Sequence, residues 1–543
     1  MDIQGLVRQI ACHWLLVGFS AIITYFVGSA IYNVYFSPLA KYPGPFFAKV
    51  SGIPSFYHAL TGHRHVWIWQ CHQIYGDVFR FQPNGIMVNS PTGYQSIYGT
   101  KANVKKGKFY EVFPRNKHSR NTLNTVDRVI HAHKRRVLNA VFSETALRSA
   151  ETFIISHVDR WVELLVEDNE PEVWTEPKDI SPLINWLFFD ILGDLCFGRS
   201  FESKEKQENP LKSIPHTTTM FFKGVYPFTK SPILQLWVWL KPRGLDFVLN
   251  RIKPAASKQY GQFVMDSVMQ RTKQEQKLQK ERAEGAEVRT DMFHYLFQAK
   301  DPKTGGPAYT PIELFSEASL LIIAGTDTSA VVLCAFFFYI TRNPRAYRRL
   351  TKEIRETFGN LDEIKSGPKL SSCRYLSACI DEALRMCPPL PSELPREVLS
   401  GGLVIDGQQI PQGVNVGTSG WSLMHHDEVY GDPWVYRPER WIADEASGVT
   451  TEDVTRAQRA FYPFSAGVGN CAGKNLAMKE LLLATARTLF MVDVKAPPAP
   501  DNLLGAGSSE LGWGSRSKSH FVIEDAYLGT KDGPMLQLKR RTI

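Results

Sequence analysis

The sequence predicts a largely helical protein with a few short strands, preceded by an N-terminal segment able to span a membrane. Three observations lead to this prediction. Residues 14–32 form an uninterrupted apolar stretch, residues 310–341 have the pattern of one long apolar helix, and a glycine-rich loop at 464–473 runs directly into another helix. The 543 residues are 43% hydrophobic and 22% charged, and no break in composition divides them into smaller domains.

The N-terminal apolar segment has the length of a membrane span. Residues 9–40 contain no Lys, Arg, Asp or Glu, and a spanning helix needs about 20 apolar residues. Trp14, Tyr32 and Tyr35 suit the two membrane interfaces. A cleaved signal peptide is the alternative, but its apolar run is usually only about 7–15 residues long. We therefore predict an uncleaved anchor over residues 1–35, with its helix at about 14–32.

A proline-rich connector over residues 36–50 separates this anchor from the rest of the chain, residues 51–543. Its Pro43-Gly44-Pro45 run breaks the helix and predicts a stiff, non-helical hinge. Basic residues that follow the span, such as Lys41 and Lys49, place the main domain on the cytosolic side. Residues 77–81 and 85–89 predict two short strands around a Pro-Asn-Gly turn.

Charge and cysteine usage exclude several classes of protein. The net charge is +9, yet no basic cluster interleaved with aromatic residues marks a nucleic-acid module. The positive balance fits a membrane surface or an acidic protein partner better. The eight cysteines are scattered and form no C-x-x-C pair, which argues against a disulfide scaffold and a zinc cluster.

A basic helix is predicted to begin at His131. His131 and Arg135 are four residues apart and therefore share one face of that helix. A solvated basic face is one interpretation of this pattern. The other is a pair of donors for a buried anion, because buried carboxylates need cationic or N–H partners.

The long apolar helix starts cleanly and weakens itself in the middle. Thr310, Pro311 and Glu313 form an N-cap, a first-turn proline and a capping box. Residues 324–329 then read Ala-Gly-Thr-Asp-Thr-Ser, where the glycine costs about 1 kcal/mol relative to alanine. The buried polar groups there, Asp327 above all, argue against a membrane span. Either this is a kinked core helix with satisfied hydroxyls, or the helix makes room for a ligand.

Two further patterns place charges within apolar surroundings. Glu382 and Arg385 are spaced i,i+3 on one helix face with apolar flanks, so the pair is predicted to be buried. Arg440 lies in a Pro-Glu-Arg-Trp run, and Arg396 directly follows Pro395. Buried charges are tolerable only when they bond each other.

The loop at 464–473 presents Cys471 at the entrance to a helix. Three glycines within seven residues let the backbone turn tightly, and a helix N-terminus favours the thiolate form that binds metals. The simpler interpretation is a buried free cysteine in a glycine-rich turn. The surrounding motifs decide between the two.

Taken together, the motifs resemble those of the cytochrome P450 family. His131/Arg135, residues 324–329, Glu382/Arg385, residues 438–441 and residues 464–473 occur in the order and spacing of that family. The resemblance implies a mainly α fold with small β-sheets and a single large heme domain over residues 51–543. One position departs from the pattern: Gly469 stands where the family usually has an Arg or His that reaches a heme propionate.

The resemblance also implies roles for the motif residues. Cys471 would be the axial ligand of the iron of heme b, and His131, Arg135 and Arg396 would bind its propionates. Glu382, Arg385 and Arg440 would form a buried network that fixes the cysteine loop. Thr328 would donate a hydrogen bond to dioxygen, and Asp327 would deliver protons.

The implied function is that of a heme-thiolate monooxygenase in the endoplasmic reticulum membrane, single-pass with its catalytic domain in the cytosol. It looks most like microsomal-type fungal members that oxidise small hydrophobic secondary metabolites. No dinucleotide fingerprint is visible, so electrons are expected from a separate NADPH-dependent reductase. A heme-thiolate isomerase or dehydratase that uses no dioxygen would be expected to lack the Asp327-Thr328 pair. A non-enzymatic membrane heme sensor would not need it.

Overall fold

Helices dominate the computed structural model, which describes residues 3–114, 119–252, 255–284, 290–301 and 305–542. The helices are α1 (Ile3–Ile31), α2 (Phe46–Val50), α3 (Ile53–Leu60), α4 (Arg64–Tyr75), α5 (Pro91–Tyr98), α6 (Arg128–Val141), α7 (Glu144–Val166), α8 (Ile180–Phe197), α9 (Ile214–Lys230), α10 (Leu234–Leu240), α11 (Leu245–Ile252), α12 (Ala255–Ala283), α13 (Met292–Gln298), α14 (Pro311–Arg342), α15 (Pro344–Thr357), α16 (Pro368–Ser372), α17 (Arg374–Met386), α18 (Gly420–Met424), α19 (Asp427–Tyr430), α20 (Thr451–Arg459) and α21 (Lys474–Met491).

The strands form small sheets, as predicted. They are β1 (Val78–Gln82), β2 (Gly85–Val88), β3 (Val104–Lys106), β4 (Lys178–Asp179), β5 (Arg396–Val398), β6 (Leu403–Ile405), β7 (Gln408–Ile410), β8 (Asn415–Gly417), β9 (Val492–Lys495), β10 (Glu524–Ala526), β11 (Leu528–Thr530) and β12 (Met535–Arg540). The largest sheet has the order β1-β2-β8-β5-β3. Its antiparallel β1–β2 pair confirms the two strands predicted around the Pro-Asn-Gly turn.

Helix α14 is the axis of the core. Its N-terminus confirms the predicted capping box, with the Thr310 side chain and Glu313 bonded to each other's backbone N–H groups. From Ala330 to Ile340 every side chain is buried, because the sequence there is apolar on all faces. The helix packs mainly against α8 and α17, so it carries its central residues into the middle of the protein.

Gly325 permits a close contact between α14 and α8. A Cβ atom built on Gly325 would lie 2.5 Å from Cδ1 of Leu192 on α8, which is closer than real contacts allow. The glycine therefore has a packing role in addition to any role for a ligand. This contact could not be predicted from local sequence patterns, because it joins residues far apart in the chain.

Helix α1 carries the predicted N-terminal apolar segment. It begins at Ile3, earlier than predicted, and a turn of π-helix continues it over Tyr32–Phe36. Among the described residues, three helical stretches are long and apolar enough to cross a membrane: Cys12–Phe36, Ile180–Phe197 and Pro311–Arg342. The second and third stretches are mostly buried in the protein, whereas the apolar residues of the first are not buried.

The connector that follows α1 is packed against the main domain. Leu39, Tyr42 and Ala48 are buried. Residues 41–45, which include Pro43-Gly44-Pro45, are non-helical as predicted, and the short helix α2 begins directly after them. The buried Arg80 of β1 donates from Nη1 to the carbonyl of Asn33 at 2.6 Å. Gly44 has φ +152°, and a Cβ there would lie 2.4 Å from the carbonyl oxygen of Arg80.

Candidate functional site

A central cavity of about 290 Å³ collects residues from distant parts of the chain. The middle of α14, the loop before α21, the start of β5 and one face of α6 contribute to its wall. Six positions singled out in the sequence line it: His131, Arg135, Thr328, Arg396, Gly469 and Cys471. The remaining wall is mostly apolar.

Cys471 opens into this cavity. Its backbone N–H donates to the carbonyl of Phe464 at 2.8 Å, which closes the loop. Gly467 has φ +60°, and a Cβ there would lie 2.3 Å from the carbonyl oxygen of Tyr98, so only glycine fits against the end of α5. Among the described residues no other cysteine lines the cavity, since Cys12 belongs to α1 and the rest are buried elsewhere.

The electrostatic surroundings of the thiol act in opposite directions. Burial raises the pKa of Cys471 above its usual value. The backbone N–H groups of Gly473 and Lys474 at the start of α21, together with the charge of Arg135, lower it. A metal cation at the sulfur would make the thiolate the stable form.

A buried ionic network supports the loop from below. Glu382 accepts from Arg385 at 2.8 and 3.0 Å and from Nε of Arg440 at 3.0 and 3.1 Å. Burial alone would raise the pKa of Glu382, but the two guanidinium charges lower it overall. The three side chains predicted to pair do so in the structure.

This network reaches the cysteine loop through Trp441. The indole N–H donates to Glu382 at 3.0 Å, and the ring packs on Phe461 with 4.5 Å between centroids. Phe461 precedes the loop by a few residues. The contact supports the predicted structural role of the network.

Cationic groups converge on one side of the cavity. Arg135 donates to the carbonyl of Asn470 at 2.5 Å and to its side-chain oxygen at 2.8 Å, which ties α6 to the cysteine loop. Arg396 donates to the Tyr110 hydroxyl and to backbone carbonyls of residues 394 and 395. Burial and the neighbouring cations lower the pKa of His131 to about 4. In the part of the chain that the structure describes, none of these three groups forms an ion pair with a carboxylate.

The heme implied by the resemblance fits this donor chemistry. The cavity combines a thiol at a helix N-terminus with cations that lack carboxylate partners among the described residues. An iron porphyrin brings a metal that accepts a thiolate ligand and two carboxylates that basic side chains can bind.

The centre of α14 presents Thr328 to the same cavity. Its hydroxyl donates to the carbonyl of Ala324 at 2.6 Å, so the donor is satisfied within the helix. Its oxygen lone pairs remain available toward the cavity. Ala324 is exposed to the cavity although it belongs to a core helix.

Asp327, predicted as a catalytic residue, does not line the cavity wall. It is buried on another face of α14, where burial raises its pKa to about 6 and the charge of Lys531 partly offsets this. Its role in proton delivery stays a prediction.

Among the cavity residues that sequence reasoning missed are one with a basic side chain, Lys106, and one with a carboxyl side chain, Glu480. Glu480 of α21 accepts from Ser329 of α14 at 3.3 Å, and its other oxygen has no hydrogen-bond partner among the described residues. Burial raises the pKa of Glu480 to about 8, so a neutral acid joins the two helices at pH 7. The available signal was that Glu480 is the single carboxylic residue of the helical run 474–491.

Comparison with known proteins gives a consistent result. A family model described as Cytochrome P450 matches residues 40–509. The chain is 34% identical over 528 residues to Cytochrome P450 monooxygenase AKT7 of Alternaria alternata, covering 96% of each chain. It is 33% identical over 520 residues to Cytochrome P450 monooxygenase poxM of Penicillium oxalicum, covering 95% of this chain and 93% of the relative. A third relative, fscF of Fusarium equiseti, is 34% identical over 543 residues.

Arg440→Ala is expected to destabilise the protein by about 3–5 kcal/mol, because it leaves Glu382 buried with part of its charge uncompensated. Arg437→Ala is the matched control: its side chain is 44% exposed and pairs with Asp432 at 3.3 Å, so we expect a loss of about 0–1 kcal/mol. Urea unfolding of the two variants measures the difference. Equal losses would contradict the assigned role of the network.

Proposed function

The chain belongs to the cytochrome P450 family of oxygen-incorporating oxidoreductases, and we propose that it is a membrane-anchored heme-thiolate monooxygenase acting on a small hydrophobic organic substrate. The observation that carries this proposal is the cavity itself. It combines a loop thiol, a helix-centre threonine and a set of cations without carboxylate partners among the described residues.

Heme, when bound, supplies the activation of dioxygen and the transfer of one oxygen atom to a C–H bond or a double bond. The chain's own part begins with binding. Cys471 would hold the iron, and Arg135, Arg396 and His131 would bind the carboxylates. The network of Glu382, Arg385 and Arg440 would keep the cysteine loop in place. The contacts of Arg135 with Asn470 support this arrangement, because they join the two sides of the binding site.

Proton handling falls to α14 in this proposal. The Thr328 hydroxyl donates to the carbonyl of Ala324 in this structure, and rotation toward the cavity would let it donate to a bound ligand instead. Asp327, with a pKa of about 6, can exchange protons near neutral pH from its buried position. Thr328 at the wall favours a monooxygenase over the isomerase and sensor alternatives.

The rest of the wall supports an apolar substrate. Leucine side chains predominate, from helices, loops and the β10–β11 turn; among them are Leu123, Leu192, Leu321, Leu390, Leu394 and Leu528. Polar groups are few, with Ser392 and Thr418 among them. A pocket of this kind orients a hydrophobic molecule by shape and by a small number of hydrogen bonds. Biosynthesis of a fungal secondary metabolite is the role that we propose for it.

The electron source and the location complete the proposal. Electrons would come from a separate NADPH-dependent reductase, because the sequence has no dinucleotide-binding fingerprint. Helix α1 would span the endoplasmic reticulum membrane with the domain in the cytosol. Its exposed side chains and the exposed apolar residues of α2 and α3, including Phe47 and Leu60, support contact with lipid.

Cys471→Ala tests the central assignment. The variant is expected to lose the long-wavelength Soret band of the reduced carbon monoxide complex, because that band requires a thiolate ligand. Cys387→Ala is the control, since Cys387 is buried away from the cavity. Oxygen and NADPH consumption with added reductase separates a monooxygenase from the two alternatives. Survival of the band in Cys471→Ala would refute the assignment.

Thr328→Ala is expected to retain the heme spectrum but to release peroxide instead of product. Loss of a positioned proton donor typically lowers a rate by about 10²–10⁴-fold. Thr326→Ala is the matched control, because Thr326 is buried on the same helix and does not line the cavity. Peroxide formed per NADPH consumed is the quantity to measure, and an equal ratio in both variants would exclude this role for Thr328.

Deletion of residues 1–35 is expected to release the protein from alkaline-carbonate-washed membranes while the full-length chain stays bound. The reason is that the exposed apolar window of α1 lies within the deleted segment. Sedimentation after the wash measures the effect. Full-length protein in the supernatant would contradict a spanning helix.

A further inference from the structure

Lys106 lies in an unfavourable electrostatic position as the protein stands. On neighbouring antiparallel strands Lys106 of β3 is directly opposite Arg396 of β5, and like charges in facing positions destabilise a sheet. Lys106 donates to the carbonyls of Thr122 at 2.9 Å and Leu123 at 2.6 Å. Among the described residues it forms no ion pair with a carboxylate.

The adjacent residue, Lys105, has the carboxylate partner that Lys106 lacks among the described residues. Lys105 pairs with Glu397 at 3.1 Å on the partly exposed side of the same two strands. Successive strand residues point to opposite faces, so Lys105 has a counter-ion while Lys106 faces the cavity. Glu317 is the acid that acts on Lys106 from a distance, and one of its oxygens is already bonded to the backbone N–H and hydroxyl of Thr122.

The surroundings of Lys106 call for an anion. Burial and the charges of Arg396 and Arg135 lower its pKa to about 7, with Glu317 acting in the other direction. His131 responds to the same group of cations. A carboxylate between Lys106 and Arg396 would turn the repulsion of the cross-strand pair into two charge-assisted hydrogen bonds.

Gly469 explains why an additional cation is needed here. The glycine supplies no charge where the family pattern has Arg or His, and a Cβ at this position would lie 3.0 Å from Nη2 of Arg396. The guanidinium of Arg396 therefore occupies the space beside the cysteine loop. The positive charge has to come from another element.

We propose that Lys106 binds a heme carboxylate together with Arg396 and supplies the positive charge that Gly469 lacks. The inference rests on the proposed function, because the carboxylate that Lys106 would bind belongs to the heme. The alternative is a purely structural role, in which Lys106 only donates hydrogen bonds to the carbonyls of Thr122 and Leu123.

The test compares heme with its dimethyl ester, which lacks the carboxylate charges. Full-length apoprotein is titrated with each porphyrin, and the Soret absorbance gives the dissociation constant. Lys106→Met is expected to bind hemin about 10–100-fold more weakly than the wild type, the effect of one charge-assisted hydrogen bond, but to bind the ester as the wild type does. Lys106→Arg keeps the charge and is expected to retain most of the hemin affinity. Lys105→Met is the matched control and is expected to change neither constant.

The outcomes separate a failure of the Lys106 proposal from a failure of the proposed function. If Lys106→Met binds hemin as tightly as the wild type, the proposal is wrong. If Lys106→Met loses affinity for hemin and for the ester equally, Lys106 has only a structural role and the proposal is wrong. Loss of hemin affinity in Lys106→Arg would also overturn the proposal. If the wild-type chain binds hemin with no thiolate spectrum, the proposed function itself fails, which is a distinguishable result.

Discussion

The free-energy cost of burying the Glu382 carboxylate constrains how α17 and the segment before the cysteine loop are arranged. Glu382 has no exposure to solvent, and its charge persists only because Arg385 and Arg440 surround it with hydrogen bonds. Those guanidinium groups in turn bond carbonyls of residues 424, 430 and 433. Helix α17 and the irregular segment from α18 to residue 441 are thereby fixed in one arrangement. The cysteine loop packs against this fixed region through Trp441 and Phe461.

The cavity shows the opposite situation, in which charges are left for a ligand to neutralise. The ionic network of Glu382, Arg385 and Arg440 is balanced in charge. The cavity wall, by contrast, carries the basic side chains of Arg135, Arg396 and Lys106 without paired carboxylates among the described residues. A protein tolerates such an imbalance where an anion is bound, since buried cations otherwise lose hydration without compensation. The contrast between the two regions distinguishes a structural ion network from a binding site.

Local sequence patterns predicted what depends on neighbours in the chain. The capping box of Thr310 and Glu313, the β1–β2 hairpin and the Glu382–Arg385 spacing all appeared as expected. Contacts between distant segments could not be predicted this way. The packing of Gly325 on Leu192, the facing of Lys106 and Arg396, and the bond from Ser329 to Glu480 each join residues that are remote in sequence. Asp327 shows a further limit, because adjacent helix residues point in directions about 100° apart, and only Thr328 of the pair lines the cavity.

The hydrogen bond from Arg80 to Asn33 has a mechanical consequence. A flexible tether would let a soluble domain tumble above a bilayer, with its orientation averaged over all angles. Here the π-helical turn that continues α1 is bonded to β1 through Asn33, and Leu39, Tyr42 and Ala48 of the following segment are buried in the domain. These contacts restrict how far the helix and the domain can reorient relative to each other. With α1 upright in a lipid bilayer, the same face of the domain would always meet the headgroups, and molecules dissolved in the lipid would encounter that face at their high membrane concentration.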